Sequence, residues 1–400
     1  MNLRYGFDKI KPDYIKYFKE YVFEKPIITT QKTNEELRQL GLILYKAIDY
    51  LLCNYKDFLH LMPRCEKDLQ IFDICRQYKY QVGTFRTDFV VDANNQIKII
   101  EITTRQPLNG YFTSGFFRDI GLEQIADTDI TKQVNDLYPE FFTYLQNYIG
   151  NVRHICVIKG DEKLEEIKIY PSVFEKAGID CHIIPLNELA EKLHLLDNAW
   201  VIEELTFNEI RNLPLEIIDK LAQLPLHNNF LSLLHTHDKR FFALLADKTF
   251  LDCVLDSSEQ DLLAKYLVPS YIWNEPSDIW ENALKNKDNY ILKHQHKGKS
   301  VDIYAGLVTD ETTWRKLFEK GTIENYILQP FINQKKFKGI IADEVRNDYV
   351  AGTLLYFNDN YFGTGLYRTS SHPVTNIKDN RKIAQIVISS NESKEDYHYL

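Results

Sequence analysis

The stretch RTDFVVDANNQIKIIEITTRQPLNG (86–110) constrains the fold more tightly than any other part of the chain. Two runs of β-forming apolar residues flank Asn94-Asn95, and asparagine tolerates the positive φ that a two-residue hairpin turn requires. Pairing outward from that turn sets Asp88 opposite Glu101 and Arg86 opposite Thr103. Strand alternation then places Arg86, Asp88, Val90, Ile99, Glu101, Thr103 and Arg105 on one face. Directly opposed Cβ atoms lie about 5 Å apart, and like charges so placed repel. Something positive must sit between the two acids. A shared hard cation such as Mg²⁺ satisfies them; so does a solvated hairpin in which they pair with Arg86 and Arg105. A proton-sharing carboxyl pair fits less well, because two arginines on the same face favour ionised acids.

Four hundred residues exceed what one core usually holds, so two or three domains are expected. Hydrophobic residues make up 44% and charged residues 26%, ordinary values for a globular chain. A formal charge of −9 provides no broad basic field, which argues against nucleic acid as a partner. The six cysteines (Cys53, Cys65, Cys75, Cys156, Cys181, Cys253) form no CxxC pair, and reduced, mostly buried thiols in a cytoplasmic protein are the simplest expectation. The segment MNLRYGFDKIKPDYIKYF lacks a signal-peptide core, and Lys46 and Asp49 interrupt the most apolar helical stretch (41–55), so no membrane association is expected. A homodimer stays open.

Residues 34–60 carry apolar residues at helical spacing, with Asn34 as N-cap. A further helical stretch is expected near 130–148. From 154, HICVIKG, EEIKIYPSVFEKAGI, CHIIPL, NELAEKLHLL and NAWVIEEL alternate as strand and helix, the pattern of a small parallel α/β unit without a GxGxxG fingerprint. FLSLLHTHDKRFFALLAD (230–247) returns to helical periodicity. Strands follow in 289–306, 325–332 and 348–368, where YFNDNYF marks a hairpin, and SSNESKEDYHYL reads as a loose tail. The HxH pairs, His235/His237 and His294/His296, lack a nearby third zinc ligand. His294 and His296 alternate along a strand, facing either a cleft or solvent.

In ILKHQHKGKSVDIYAG (291–306), Lys293 ends a strand, and Lys297-Gly298-Lys299-Ser300 can form a loop whose amides and ammonium groups suit triphosphate oxygens. The P-loop spacing is absent. An exposed, merely solubilising turn is the alternative.

Arg-x-Asp, a hairpin, then Glu-x-Thr-x-Arg followed by Asn-Gly resembles the metal-binding signature of circularly permuted ATP-grasp ligases, the group of glutathionylspermidine synthetases and related carboxylate–amine ligases. The resemblance implies an ATP-grasp fold, mixed α+β and α/β, with a small parallel α/β domain. Its expected domains are a metal-binding half (1–149), that α/β domain (150–228) and a nucleotide-binding half with a lid (229–400). Asp88 and Glu101 match the family's magnesium ligands, and Thr103 stands where the family has asparagine. Arg86 matches the arginine on the transferring phosphoryl group. Lys293 and the 297–300 loop match the phosphate-binding elements, while Gln329 and Phe331 of YILQPF match the strand beside the adenine. Lys239 resembles the lysine at the helix start before the nucleotide half, and Arg368 the arginine of the final strand.

The activity so implied is ATP- and Mg²⁺-dependent joining of a carboxylate to an amine through an acyl phosphate, with small molecules or peptides as substrates. Arg105 is placed to grip the substrate carboxylate, and QPLNGYFTSG (106–115) to line the acceptor side. A phosphotransferase that stops at a phosphorylated product, and a non-catalytic nucleotide- or peptide-binding relative, are the alternatives.

Overall fold

The computed structural model describes residues 20–135, 138–150, 152–163, 166–273, 277–298, 300–375, 379 and 381–400. Lys299 and the segment read above for a signal peptide lie outside the described residues, apart from its neighbours from residue 20 onward.

The opening hairpin consists of the strands Thr84–Val91 and Ile97–Thr103. Asp88 faces Glu101 and Arg86 faces Thr103, but the route to that register differs from a two-residue turn. Near the turn the pairs are Val91 with Ile97, Val90 with Lys98 and Phe89 with Ile99. The Asp92 carboxylate explains the shift: it accepts from the Asn94 and Gln96 amides at 2.9 Å each and holds a three-residue turn, with Asn95 at φ 65°. A bulge at Ile100 then restores the Asp88–Glu101 pairing. The bulge reverses one expectation. Ile99 lies fully buried on the core face opposite Phe89, and Ile100 takes its place on the face of the acids.

The long strand Glu344–Phe357 pairs with this hairpin antiparallel, Thr353 against Asp88 and Leu355 against Arg86. It also pairs with Tyr367–Ser370, which sets Arg368 beside Ala351, and completes a seven-stranded sheet with Lys336–Ile341, Asn360–Thr364 and Arg381–Ile383. The sheet therefore joins residues from both ends of the sequence. The YFNDNYF turn closes tightly through Asn358 and Asp359, with Phe357 paired to Asn360. A second, four-stranded antiparallel sheet runs Tyr271–Ile272, Tyr326–Pro330, Tyr290–His294, Ile303–Ala305. The α/β unit is a parallel sheet of Asp180–Pro185, His154–Lys159 and Trp200–Glu204. Its second expected helix is instead a pair of short 3₁₀ turns, Leu186–Glu188 and Leu193–Leu196.

The helix Gln31–Asn54 buries Leu37, Leu40, Leu44, Ile48 and Leu51 in the largest core. Thr30 caps it, accepting from the Thr33 amide, rather than Asn34. Gly41 is required on this helix, since a Cβ there would lie 2.2 Å from the Tyr356 ring. No helix among the described residues is long and apolar enough to cross a membrane.

The C-terminal segment is not loose. His398–Tyr399 pairs parallel with Ile27–Thr29, whose other edge carries Gln385–Val387, and Leu400 is buried. Tyr397 and Tyr399 pack on a small core of isoleucines, which supplies the burial that the polar residues of the tail hide from a reading by composition. All six cysteines are free thiols, and only Cys75 and Cys156 are buried.

Candidate functional site

The two larger sheets face each other across a cleft of about 1150 Å³, counting its open mouth. The hairpin contributes Arg86, Asp88, Glu101, Thr103 and Arg105; the second sheet contributes Lys293, Gln329 and, just beyond its strand, Phe331. Gly298, Ser300 and Arg368 line the same space.

Asp88 is held by two guanidinium groups. Arg368 Nη2 lies 2.7 Å from Oδ2 and Arg86 Nε 3.3 Å from Oδ1. Burial by itself would raise the Asp88 pKa, but Arg368 and Arg86 outweigh it and hold the carboxyl below the usual range. Arg86 is anchored in turn, Nη1 donating to the Asn109 carbonyl at 2.7 Å. Across the hairpin, Lys239 Nζ sits 3.1 Å from Glu101 Oε1 and also donates to the Lys297 carbonyl at 2.5 Å. Lys293 bridges the sheets, Nζ donating to the Ile100 carbonyl at 3.0 Å. Burial lowers its pKa to about 8, with Glu101 opposing the shift.

That value gives a pH test. Lys293 loses its charge as pH rises through about 8, so the affinity of the metal-free protein for triphosphate should fall over that range. Lys293→Arg should bind with no such loss up to pH 9.5, as calorimetry with ATP would record. A wild-type affinity flat from pH 7 to 9.5 would remove Lys293 from the phosphate site.

Other expected residues are placed differently. Lys297 turns outward, ion-pairing with Asp302, and reaches the site only through its carbonyl. Gly298 packs on Arg105, where a Cβ would lie 2.9 Å from Nη2. Arg105 is nearly buried and already ion-paired with Glu162, from the loop after His154–Lys159. Gln329 donates Nε2 to Ser270 Oγ at 2.7 Å, which leaves Oε1 unpartnered at the cleft. The Phe331 amide donates to the Asn289 carbonyl at 2.7 Å and is thus unavailable to read a base edge. Of 106–115, Gln106 and Asn109 line the cleft, whereas the helix Tyr111–Gln124 begins straight afterwards and turns its first residues into the core. His296 bonds Asp238 and His294 packs on Tyr326; neither lines the cleft.

Support comes from Asn228, Glu166 and Asp238, which sequence reasoning passed over, and from their neighbours. Asn228, fully buried, accepts from the Thr84 amide and donates to the Thr84 and Thr104 carbonyls, all at 2.8 Å, clamping the open end of the hairpin. Glu166 accepts from the Phe112 and Thr113 amides at 2.8 and 2.9 Å and from Gly110 as well. This fixes the turn whose Asn109 carbonyl holds Arg86. Burial pushes the Glu166 pKa up to about 7 against the pull of those amides. The run HTHDKR (235–240) is buried throughout. It delivers His237 to the cleft and Lys239 to Glu101, and roots both in an ion cluster around Asp238.

The hairpin also orders the cleft. At its tip, Asp92 bridges to Gln334 and the Ala93 amide donates to the Asn333 carbonyl at 2.9 Å. At the open end stand Arg86, Arg105, Asn109 and His237, with the acids between. Val90 to Arg86 spans roughly 13 Å at about 3.3 Å per residue. The tip end is apolar, with Ile291, Ile303, Ile332 and Val374. Among the described residues no group of three or more His, Cys, Asp or Glu side chains could hold a metal. Two directly opposed carboxylates with a hydroxyl nearby fit a magnesium ion that draws its remaining oxygens from phosphate and water.

Comparison with known proteins bears on the fold. A profile described as the AnkG N-terminal domain matches residues 52–234, less than half of the chain. No curated protein sequence matches. Among solved structures, a glutathione synthetase-like effector from Globodera pallida, in its apo form, aligns over 97% of this chain and 96% of its own, with a TM-score of 0.60 and 11% identity. At that identity the likeness speaks to architecture alone, and what this chain shares is a glutathione synthetase-like fold of mixed parallel and antiparallel sheets.

Proposed function

We propose that the chain is an ATP-dependent carboxylate–amine ligase with a circularly permuted ATP-grasp architecture, acting through an acyl phosphate. The observation that carries this reading is the Asp88–Glu101 pair, set in register on one hairpin and ringed by Arg86, Arg368, Lys239 and Lys293 where two sheets meet. Along the hairpin, the apolar tip end receives the nucleobase. The unpartnered oxygens of Gln329 and Gln334 are acceptors there, which suits the exocyclic amine of adenine. The triphosphate lies over Asp88 and Glu101, and the acid and amine meet at the open end. Magnesium, when bound by those two acids with Thr103 nearby, supplies charge neutralisation at the phosphates. Arg86 and Arg368 stabilise the phosphoryl group in transit, and Lys293 and Lys239 hold phosphate oxygens. The three expected segments, 1–149, 150–228 and 229–400, correspond to the two halves of the nucleotide site with the α/β unit between them.

The test is to incubate the protein with ATP, Mg²⁺ and paired panels of amino acids, short peptides and amines. The expected result is ADP and phosphate release that requires both partners, and a product whose mass equals acid plus amine less one water. A product that instead gains phosphate makes the chain a phosphotransferase. One observation favours a third reading, binding without turnover: each acid is neutralised by the protein's own cations. ATP binding by calorimetry with no ADP formed across the panel would establish it.

A further inference from the structure

His237 is the anomaly of the cleft. Its side chain is 1% exposed, it lines the open end, and neither ring nitrogen has a hydrogen-bond partner. Buried polar groups are nearly always bonded, because leaving one unsatisfied is costly. The ring is nonetheless firmly held, stacked on Phe207 at 5.5 Å between centroids and 27° between planes. Phe207 begins a helix capped by Thr206 and Glu209 and also stacks on His296, at 4.9 Å between centroids. A rigid, unbonded imidazole facing a substrate cleft is a group awaiting a ligand.

The chemistry of its surroundings says what kind. Arginine and lysine side chains are donors only, so Arg86, Arg105 and Lys239 offer an incoming amine nothing to bind. The charged acceptors at this end already serve the protein's own cations. Asp88 serves Arg86 and Arg368, Glu101 serves Lys239, Glu162 serves Arg105, and the Asn109 carbonyl serves Arg86. Among the buried, unpartnered side-chain atoms of the described residues at the open end, the acceptor is a His237 ring nitrogen, the other nitrogen carrying the proton of the neutral ring. Burial, reinforced by Arg105 and Lys239, holds the ring well below the usual histidine range, so it stays an acceptor at neutral pH.

We propose that His237 binds the amino group of the second substrate, a ring nitrogen accepting a hydrogen bond from the attacking amine. The assignment rests on the ligase reading above.

Hydroxylamine is the probe, as a minimal amine nucleophile, varied at saturating ATP and Mg²⁺ with the acid that gives most ADP in the panel. His237→Phe, which keeps the stack and loses the acceptor, should raise KM for hydroxylamine about tenfold or more. KM for ATP and the thermal midpoint should stay at wild-type values. His237→Gln, whose amide oxygen can accept, should recover most of the loss. If the phenylalanine variant does not fold, His237→Leu carries the same prediction. An unchanged KM for hydroxylamine overturns the assignment, as does a parallel rise in KM for ATP and hydroxylamine. Asp88→Asn, run alongside, separates the two claims. If it turns over like the wild type, the ligase reading fails; if it is inactive while the His237 variants keep their KM, only the amine assignment fails. No turnover with any acid overturns both.

Discussion

Asp238→Ala should lower the unfolding free energy by about 3–5 kcal/mol, the range found when one member of a buried ion cluster is removed. Asp238 is fully buried. Its carboxylate receives Arg64 Nη1 at 2.8 Å, Arg240 Nη2 at 2.6 Å and His296 Nε2 at 3.0 Å. Arg64, whose side chain is itself inaccessible, and Arg240 would then be left as two guanidiniums in a dry interior without a counter-ion. Burial alone would raise the Asp238 pKa, but Arg240 and Arg64 outweigh it and hold the carboxyl far below its usual range. A depressed folded-state pKa gives stability that is present above the unfolded value and lost only as pH falls through the folded one. The gap between wild type and variant should therefore hold from pH 5 to 8 and narrow only in acid. Asp238→Asn keeps hydrogen-bond acceptance without the charge and should fall between the two. Urea denaturation read at pH 7 and again at pH 3.5 checks both claims; a loss below 1 kcal/mol at pH 7 would mean that Arg64 and Arg240 find other partners. Lys239 follows directly in the chain, so the same substitution should also weaken phosphate binding.

None of that cluster was legible in the sequence, and the reason is distance. Arg64 lies 174 residues from Asp238, and neither the helical periodicity of 230–247 nor the HxH spacing announces six buried polar residues in a row. The hairpin is the opposite case. The Asp88–Glu101 pairing depends on a turn a few residues away, so local rules reach it, even though two departures had to cancel: a three-residue turn set by the Asp92 side chain and a bulge at Ile100. Where they do not cancel, the reading fails, which is why Ile99 is in the core and Ile100 in the cleft.

The basic residues divide along the same line. Lys293 follows from a strand that ends where a glycine-containing loop begins, and it does reach across to the hairpin. Lys297 sits in the same motif, but its side chain goes to Asp302, since a lysine in an exposed turn takes whichever carboxylate is nearest. Spacing cannot distinguish the two. Arg368 reaches Asp88 only because Glu344–Phe357 pairs with the hairpin on one edge and with Tyr367–Ser370 on the other, a non-local arrangement that composition does not encode. The tail illustrates the converse error: Tyr397, Tyr399 and Leu400 sit among polar residues, and their burial depends on an edge offered by Ile27–Thr29 near the other end of the chain.

Asp88→Asn and Glu101→Gln should each reduce ATP turnover by about 10³-fold or more while leaving the thermal midpoint near that of the wild type. That is the scale lost when a preorganised charge at a phosphoryl-transfer site is removed. The two should differ in a second readout. Asp88 now neutralises Arg86 and Arg368, so Asp88→Asn frees both guanidiniums and removes a negative charge that repels the phosphates. ATP should bind this variant in EDTA at least as tightly as it binds the wild type, and added Mg²⁺ should no longer improve the affinity. Glu101→Gln releases Lys239 in the same way, with Lys293 beside it. Here too the metal-free affinity should hold or rise while the magnesium-dependent increment disappears. A general loosening of the fold cannot produce that pattern, since it would weaken binding with and without the metal alike. Calorimetric titrations in EDTA and in Mg²⁺, set beside ADP release for the same preparations, separate the outcomes. Either variant keeping both its turnover and its magnesium increment would place the metal elsewhere, and the opposed acids would then be no more than a neutralised element of the sheet.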